Sequence, residues 1–218
     1  MFHNVKVVDN TGFGPMTDWI VGIDYVLNQY PSKKVINMSL GGGRFEPLNQ
    51  AVANAVAAGV PIVVAAGNSD GDACNASPAS EPSAITVAAS TNTDSRASFS
   101  NFGSCVDLFA PGQAITSAAE NSDTRVLSGT SMASPHVAGV VALYMEADLD
   151  PLQVLTDATS GKISDVQGSP NLLVFARGAE EAIAPPVPAC RFRWETCVDD
   201  DACCSGSCRF YLFNNYCE

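Results

Sequence analysis

The apolar positions of the chain change period several times. Residues 17–28 place Ile20, Ile23 and Leu27 at helical spacing, which predicts an amphipathic helix. "KVINMSL" (34–40) reads as a strand, stopped by Gly41, Gly42 and Gly43. Pro47 opens a second helix with Leu48, Val52, Ala55 and Val56 on one side and Gly59 at its end. "VPIVVAAGN" (60–68) is almost wholly apolar, as expected of a strand covered on both faces. "VKVVD" (5–9), "AITVAAS" (84–90) and "CVDLFAPG" (105–112) read as further buried strands, and 131–147 as a long helix. Strands alternating with helices predict an α/β fold: a mostly parallel sheet flanked by helices.

Composition narrows the classes. With 46% hydrophobic and 16% charged residues the chain is globular in character, and its 218 residues are enough for one core and a small appendage. A formal charge of −12 argues against nucleic acid as a partner, because phosphates demand a basic face. No apolar run approaches the roughly 20 residues needed to cross a bilayer, so no membrane is expected.

The cysteines divide the chain. Cys74 and Cys105 lie in the body, whereas Cys190, Cys197, Cys203, Cys204, Cys208 and Cys217 crowd the end. That density implies a disulfide scaffold and a secreted, oxidising setting. Yet "MFHNVKVVDN" lacks the pattern of a signal peptide. The expectation is a secreted protein whose native N-terminus lies elsewhere. Pro185, Pro186 and Pro188 mark a stiff linker. The expected organisation is therefore a main domain over 1–178, a linker over 179–189 and a small disulfide-rich module over 190–218.

The candidate chemistry begins at "GTSMASPHVAG" (129–139), where small polar residues lead into an apolar helix. This stretch resembles the nucleophile motif of the subtilisin-like serine proteases (subtilases). "VVAAGN" resembles the segment carrying their oxyanion-hole asparagine, and "NMSLGGG" their substrate-pairing strand. "NASPASEPSAITVAASTNTDSRASFSNFGSCVDLFAPG" is similar to the proteinase K-like subgroup in particular. The resemblance runs over about 5–178, with the motifs in family order.

The resemblance implies a serine endopeptidase acting on polypeptide, with roles for particular residues. Ser131 would be the nucleophile, at a helix start whose dipole favours negative charge. Asn68 would donate its amide to the oxyanion. Ser39, Leu40 and Gly41 would pair with an extended peptide through their backbone, and Ala65, Ala66 and Gly67 would wall an apolar specificity pocket. It also implies a Cys74–Cys105 disulfide, and a structural calcium held by the carbonyls of Pro82 and Ala84 with the carboxylate of Asp107. Hard oxygen ligands suit that ion.

A serine needs a base, and the chain has two histidines. His136 follows Ser131 by five positions on one helix, about 140° around the axis, and cannot reach it. His3 lacks the family's following "GT". "DNTG" (9–12) has one residue too many for the family's aspartate turn, so Asp9 is not expected to be the triad acid. The family resemblance begins just after the catalytic histidine. The chain as written is thus expected to be nearly inactive: in subtilisin itself, loss of the histidine costs about 10⁶ in turnover, or about 8 kcal/mol of barrier. The strand that leads to the family's aspartate lies inside the sheet, so the isolated chain is also expected to fold poorly. A non-catalytic pseudoprotease that binds peptide is the competing reading.

The tail spacing, C-x6-C-x5-C-C-x3-C-x8-C, leaves fifteen pairings open. It resembles the inhibitor cystine knot of knottins. That resemblance implies Cys190–Cys204, Cys197–Cys208 and Cys203–Cys217. Phe192, Trp194, Phe210, Tyr211, Phe213 and Tyr216 could present a surface for a protein or polysaccharide ligand, and a third reading makes this module a protease inhibitor or targeting element.

Overall fold

The structure, a computed structural model, describes residues 2–29, 33–119 and 123–176, with the backbone of two strands near the C-terminus. It divides into two units, 1–176 and 177–218.

In the first unit a six-stranded sheet has the order β1-β3-β5-β6-β10-β9. The strands are β1 (Ile36–Met38), β3 (Ile62–Ala65), β5 (Ile85–Ser90), β6 (Leu108–Pro111), β9 (Thr159–Ser160) and β10 (Leu172–Leu173). All neighbouring pairs are parallel except β10 with β9. The helices are α1 (Met16–Gln29), α2 (Glu46–Ala57), α3 (Thr130–Glu146) and α4 (Gln153–Thr156).

The pleat of β3 explains its unbroken apolar run. Ile62 and Val64 pack with Trp19, Ile23, Leu48 and Val52 of α1 and α2, while Val63 faces Val137, Val141 and Tyr144 of α3. Successive side chains point to opposite faces, and here both faces carry helices. α2 starts at Glu46, with Pro47 in its first turn, and stops where Gly59, at φ +85°, reverses the chain. Gly59 N–H then bonds the Val56 carbonyl and Val60 N–H the Ala55 carbonyl, closing the helix as a Schellman motif.

One predicted strand does not form. Residues 5–9 pair with no strand among the described residues and are exposed or half-buried. A strand exists through its ladder. Val7 lies instead against Gly22 of α1, where a Cβ would come within 2.5 Å of its Cγ1. Asp9 then folds its own turn, its Oδ1 accepting from the N–H of Thr11 and of Phe13 at 2.8 and 3.1 Å. Two short pairings escaped the sequence reading: β2 (Gly42–Gly43) with β4 (Ala76–Ser77), and the exposed hairpin of β7 (Ile115–Ala118) with β8 (Thr124–Leu127).

In the second unit the backbones of β11 (Cys208–Tyr211) and β12 (Asn214–Cys217) form an antiparallel pair with Cys208 opposite Cys217. The expected linker and the tail's disulfide pairings lie outside the described residues.

Candidate active site

Ser131 is the second residue of α3, after the N-cap Gly129 and Thr130. The first N–H groups of a helix have no partner within it. Here the Thr130 N–H is taken by Asn68 Oδ1 at 2.8 Å, and Thr130 Oγ1 donates to the same oxygen at 3.0 Å. These two bonds fix the carboxamide, oxygen toward α3, and leave Asn68 Nδ2 as a donor. Neither Asn68 Nδ2 nor the Ser131 N–H has an acceptor among the described residues. A Cβ at Gly129 would lie 3.6 Å from both nitrogens, so the two free donors border one small space that glycine leaves open.

The end of β1 lies alongside. The Ser131 hydroxyl donates to the Ser39 carbonyl at 3.3 Å, and the Ser39 hydroxyl donates to the Ser131 carbonyl at 2.9 Å. That second bond has a cause four residues on. Pro135 stands inside α3 without the N–H that a helix would offer to the Ser131 carbonyl. Leu40 and Gly41 follow, and their backbone groups make no hydrogen bond among the described residues.

On the other side, Ala65 and Ala66 are buried at the end of β3 and Gly67 is half-buried. Gly67 N–H bonds Thr130 Oγ1 at 3.1 Å, which ties this wall to the start of α3. A cleft of about 180 Å³ lies between the β7–β8 hairpin and Met132, lined also by Ile115, Arg125 and Leu127.

The family model described as the subtilase family, Peptidase S8, matches residues 2–165. The chain belongs to the subtilase family. Among its relatives, the extracellular serine proteinase of Thermus sp. (strain Rt41A) is 50% identical over 182 residues, covering 79% of this chain and 44% of that protein. The alkaline serine exoprotease A of Vibrio alginolyticus is 47% identical over 178 residues, covering 79% of this chain and 33% of that one. A solved structure of a cold-adapted subtilisin-like serine proteinase matches with a TM-score of 0.77 and 47% identity, over 79% of this chain and 66% of that one. This subtilase chain therefore spans a third to under half of the curated relatives named here.

Neither histidine is hydrogen-bonded to Ser131 among the described residues. His136 is exposed, its Nδ1 paired with the Met132 carbonyl at 2.8 Å one turn back on α3. His3 is exposed near the N-terminus. Among the described residues the only hydrogen bond of the Ser131 hydroxyl is the one to Ser39. Asp9 is spent locally: the Thr11 hydroxyl first, then the N–H groups of Phe13 and Thr11, hold its carboxyl below the usual carboxylate range.

Cys74 and Cys105 form a disulfide with their Cα atoms 5.3 Å apart. Asp107 sits at the entry to β6, one oxygen accepting from the Thr86 N–H at 2.7 Å. Burial pushes this carboxyl up to about 6 against that one bond. Ala84 is buried nearby in sequence and Pro82 is exposed. Among the described residues no three His, Cys, Asp or Glu side chains cluster as a metal site. A site with one carboxylate and two carbonyls does not need such a cluster.

Sequence reading passed over the Ser131 N–H, Ser134 and Asn101. The first is a backbone group and leaves no mark in a sequence. The others lie in ordinary-looking "SP" and "SN" contexts whose geometry only the fold supplies.

Proposed function

We propose that this subtilase chain carries the nucleophile and oxyanion half of a serine-type endopeptidase site. Ser131 attacks the scissile carbonyl and forms an acyl-enzyme. Asn68 Nδ2 and the Ser131 N–H receive the developing oxyanion. The backbone of Ser39, Leu40 and Gly41, open at Leu40 and Gly41, pairs with an extended polypeptide substrate, as an added strand would. Ala65, Ala66 and Gly67, with little side-chain bulk, admit an apolar group beside it. The observation that carries this reading is the serine hydroxyl at a helix start next to two donors without acceptors.

Turnover at family rates needs a base and an acid that the described residues do not bring to Ser131. We therefore propose that the 218 residues alone turn over peptide near the level of a subtilisin without its histidine, about 10⁶ below the complete enzyme. The second reading, a pseudoprotease that binds peptide without cleaving it, is favoured by the same lack of a histidine at Ser131.

An activity-based fluorophosphonate probe decides between them. Labelling that vanishes in Ser131→Ala supports the endopeptidase. Peptide binding without labelling, in the chain isolated in its native form, supports the pseudoprotease.

Two supports accompany this proposal. Calcium would be held by Asp107 with the carbonyls of Pro82 and Ala84, supplying positive charge to a buried carboxylate that has one N–H partner. An extracellular setting fits the disulfide in the body and the names of the two bacterial relatives. The tail would be a knottin-like module with a protein or polysaccharide ligand.

A further inference from the structure

The loop that carries Asn68 is wrapped around one buried side chain. Past the Ala66 N–H, which still bonds the Val87 carbonyl of β5, residues 66–71 run outside the sheet. Beyond the Asp70 N–H and the Gly71 carbonyl, which bond Phe99 and Phe102, their inward-facing N–H and C=O groups need other partners. Asn101, 5% exposed, supplies them. Its Nδ2 donates to the Ala66 carbonyl at 2.9 Å. Its Oδ1 accepts from the N–H of Ser69 at 2.9 Å and of Gly71 at 3.1 Å. Its own N–H bonds the Gly67 carbonyl at 2.9 Å. A primary carboxamide offers a donor and a two-lone-pair acceptor in one plane, which neither an acid nor an aliphatic residue does.

The approach is close. Gly67 has φ +106°, and a Cβ there would fall 2.3 Å from Asn101 Nδ2. Asn101 is itself held on both sides. The guanidinium of Arg96 donates to the Ser100 carbonyl at 2.6 Å and lies 5.1 Å over the Phe102 ring. It also bonds Asp70, in the Asn68 loop, at 2.6 Å. Asn68 therefore stands between two anchors: Thr130 at its tip and Asn101 beneath its backbone.

We infer that Asn101 is a positioning residue for the oxyanion donor, setting through the 66–71 loop where Asn68 presents its amide. The inference rests on the reading of Asn68 as that donor. Asn101 touches no reacting atom, so its loss acts only as far as Asn68 moves. A displacement of about 1 Å is worth about 10² in rate.

The test compares wild type, Asn101→Ala, Asn101→Asp, Asn68→Ala and the Asn68→Ala/Asn101→Ala pair. Measured in the protein isolated in its native form, Asn101→Ala is expected to lower kcat about 10²-fold, with KM changed far less, and to add nothing in the Asn68→Ala background. A double variant slower than Asn68→Ala by the full Asn101→Ala factor overturns the inference, because the two residues then act separately. Two further readouts need no turnover. Asn101→Ala is expected to speed hydrogen exchange at the Ser69 and Gly71 amides and to shift the Asn68 side-chain amide resonances. Unchanged exchange and resonances overturn it as well.

Asn101→Asp keeps the acceptor and loses the donor. It is expected to retain protection at Ser69 and Gly71, and it decides the matter if the alanine variant does not fold. A natively isolated protein that neither labels at Ser131 nor cleaves peptide refutes the catalytic reading of the site, while exchange and resonances still decide Asn101.

Discussion

Ser39 and Ser131 exchange contacts: the hydroxyl of each donates to the carbonyl of the other, at 2.9 Å from Ser39 and 3.3 Å from Ser131. A serine hydroxyl has one proton. Since Ser39 gives its proton to a carbonyl, which can only accept, the 2.9 Å contact between Ser39 Oγ and Ser134 Oγ must be donated by Ser134. The turn that carries Ser131 is thus pinned to the end of β1 by a bond that Pro135 makes necessary.

Ser39→Ala should cost more than Ser134→Ala. The first leaves the Ser131 carbonyl and the fully buried Ser134 hydroxyl without a partner, about 2–3 kcal/mol. The second removes one donor to an oxygen that keeps its other bond, about 1 kcal/mol. Pro135→Ala restores a helix N–H to the Ser131 carbonyl, so it should lessen the cost of Ser39→Ala. Urea unfolding of wild type, the three single variants and the Ser39→Ala/Pro135→Ala pair checks this, and equal costs for the two serines would refute the donor assignment.

Thr130 is the tip anchor of Asn68, and its hydroxyl does two jobs: it accepts from Gly67 N–H and donates to Asn68 Oδ1. Thr130→Val keeps the shape of this buried residue and loses both bonds. Thr130→Ser keeps both. In the protein isolated in its native form, the expected outcome is fluorophosphonate labelling of Ser131 slowed about tenfold by valine, a fraction of the 10²–10³ that subtilisin itself loses with the whole donor. Serine should label at nearly the wild-type rate. Equal rates for all three would show that the Thr130 N–H holds the tip of Asn68 without the hydroxyl.

Much of this was legible in the sequence, for identifiable reasons. Apolar runs at β3 and β5 and the helical spacing of Leu48, Val52 and Ala55 are properties of single segments, and burial follows from them. The motif "GTS" placed Ser131, and "AAGN" placed Asn68. What escaped depends on two segments meeting. "VKVVD" has the composition of a strand, but a strand needs a neighbour, and none of the described residues provides one. The role of Asn101 exists only because residues 66–71 fold back over it, 30–35 positions away in the chain. Hairpin β7–β8 is exposed along much of its length, so no buried face marks its sequence.

The Cys74–Cys105 disulfide closes a loop of separation 31 that contains Asn101 and begins just after the Asn68 loop. In the chain-entropy account such a loop is worth about 3–4 kcal/mol. The Cys74→Ser/Cys105→Ser pair should therefore unfold at lower denaturant by that amount. Its m-value should rise, because the unfolded chain is no longer cross-linked. A pair as stable as wild type would show that the hydrogen bonds of Asn101 and Arg96 hold these loops unaided.

Asp107 gives the fold a pH dependence that calcium should invert. Its carboxyl, ordinarily at 3.8, is pushed up to about 6, chiefly by burial. A group raised on folding stabilises fully below its unfolded value, and that stability is lost as pH rises through the folded value. Without metal, the chain should lose about 3 kcal/mol from this group between about pH 4 and pH 7. Calcium binds the ionised form, so it should raise Tm strongly at about pH 7.5 and little at about pH 5. Asp107→Asn removes the titrating group, and both the loss with pH and the calcium shift should go with it. Melting curves with calcium and with chelator at the two pH values decide the point. A calcium shift that survives in Asp107→Asn would place the ion elsewhere.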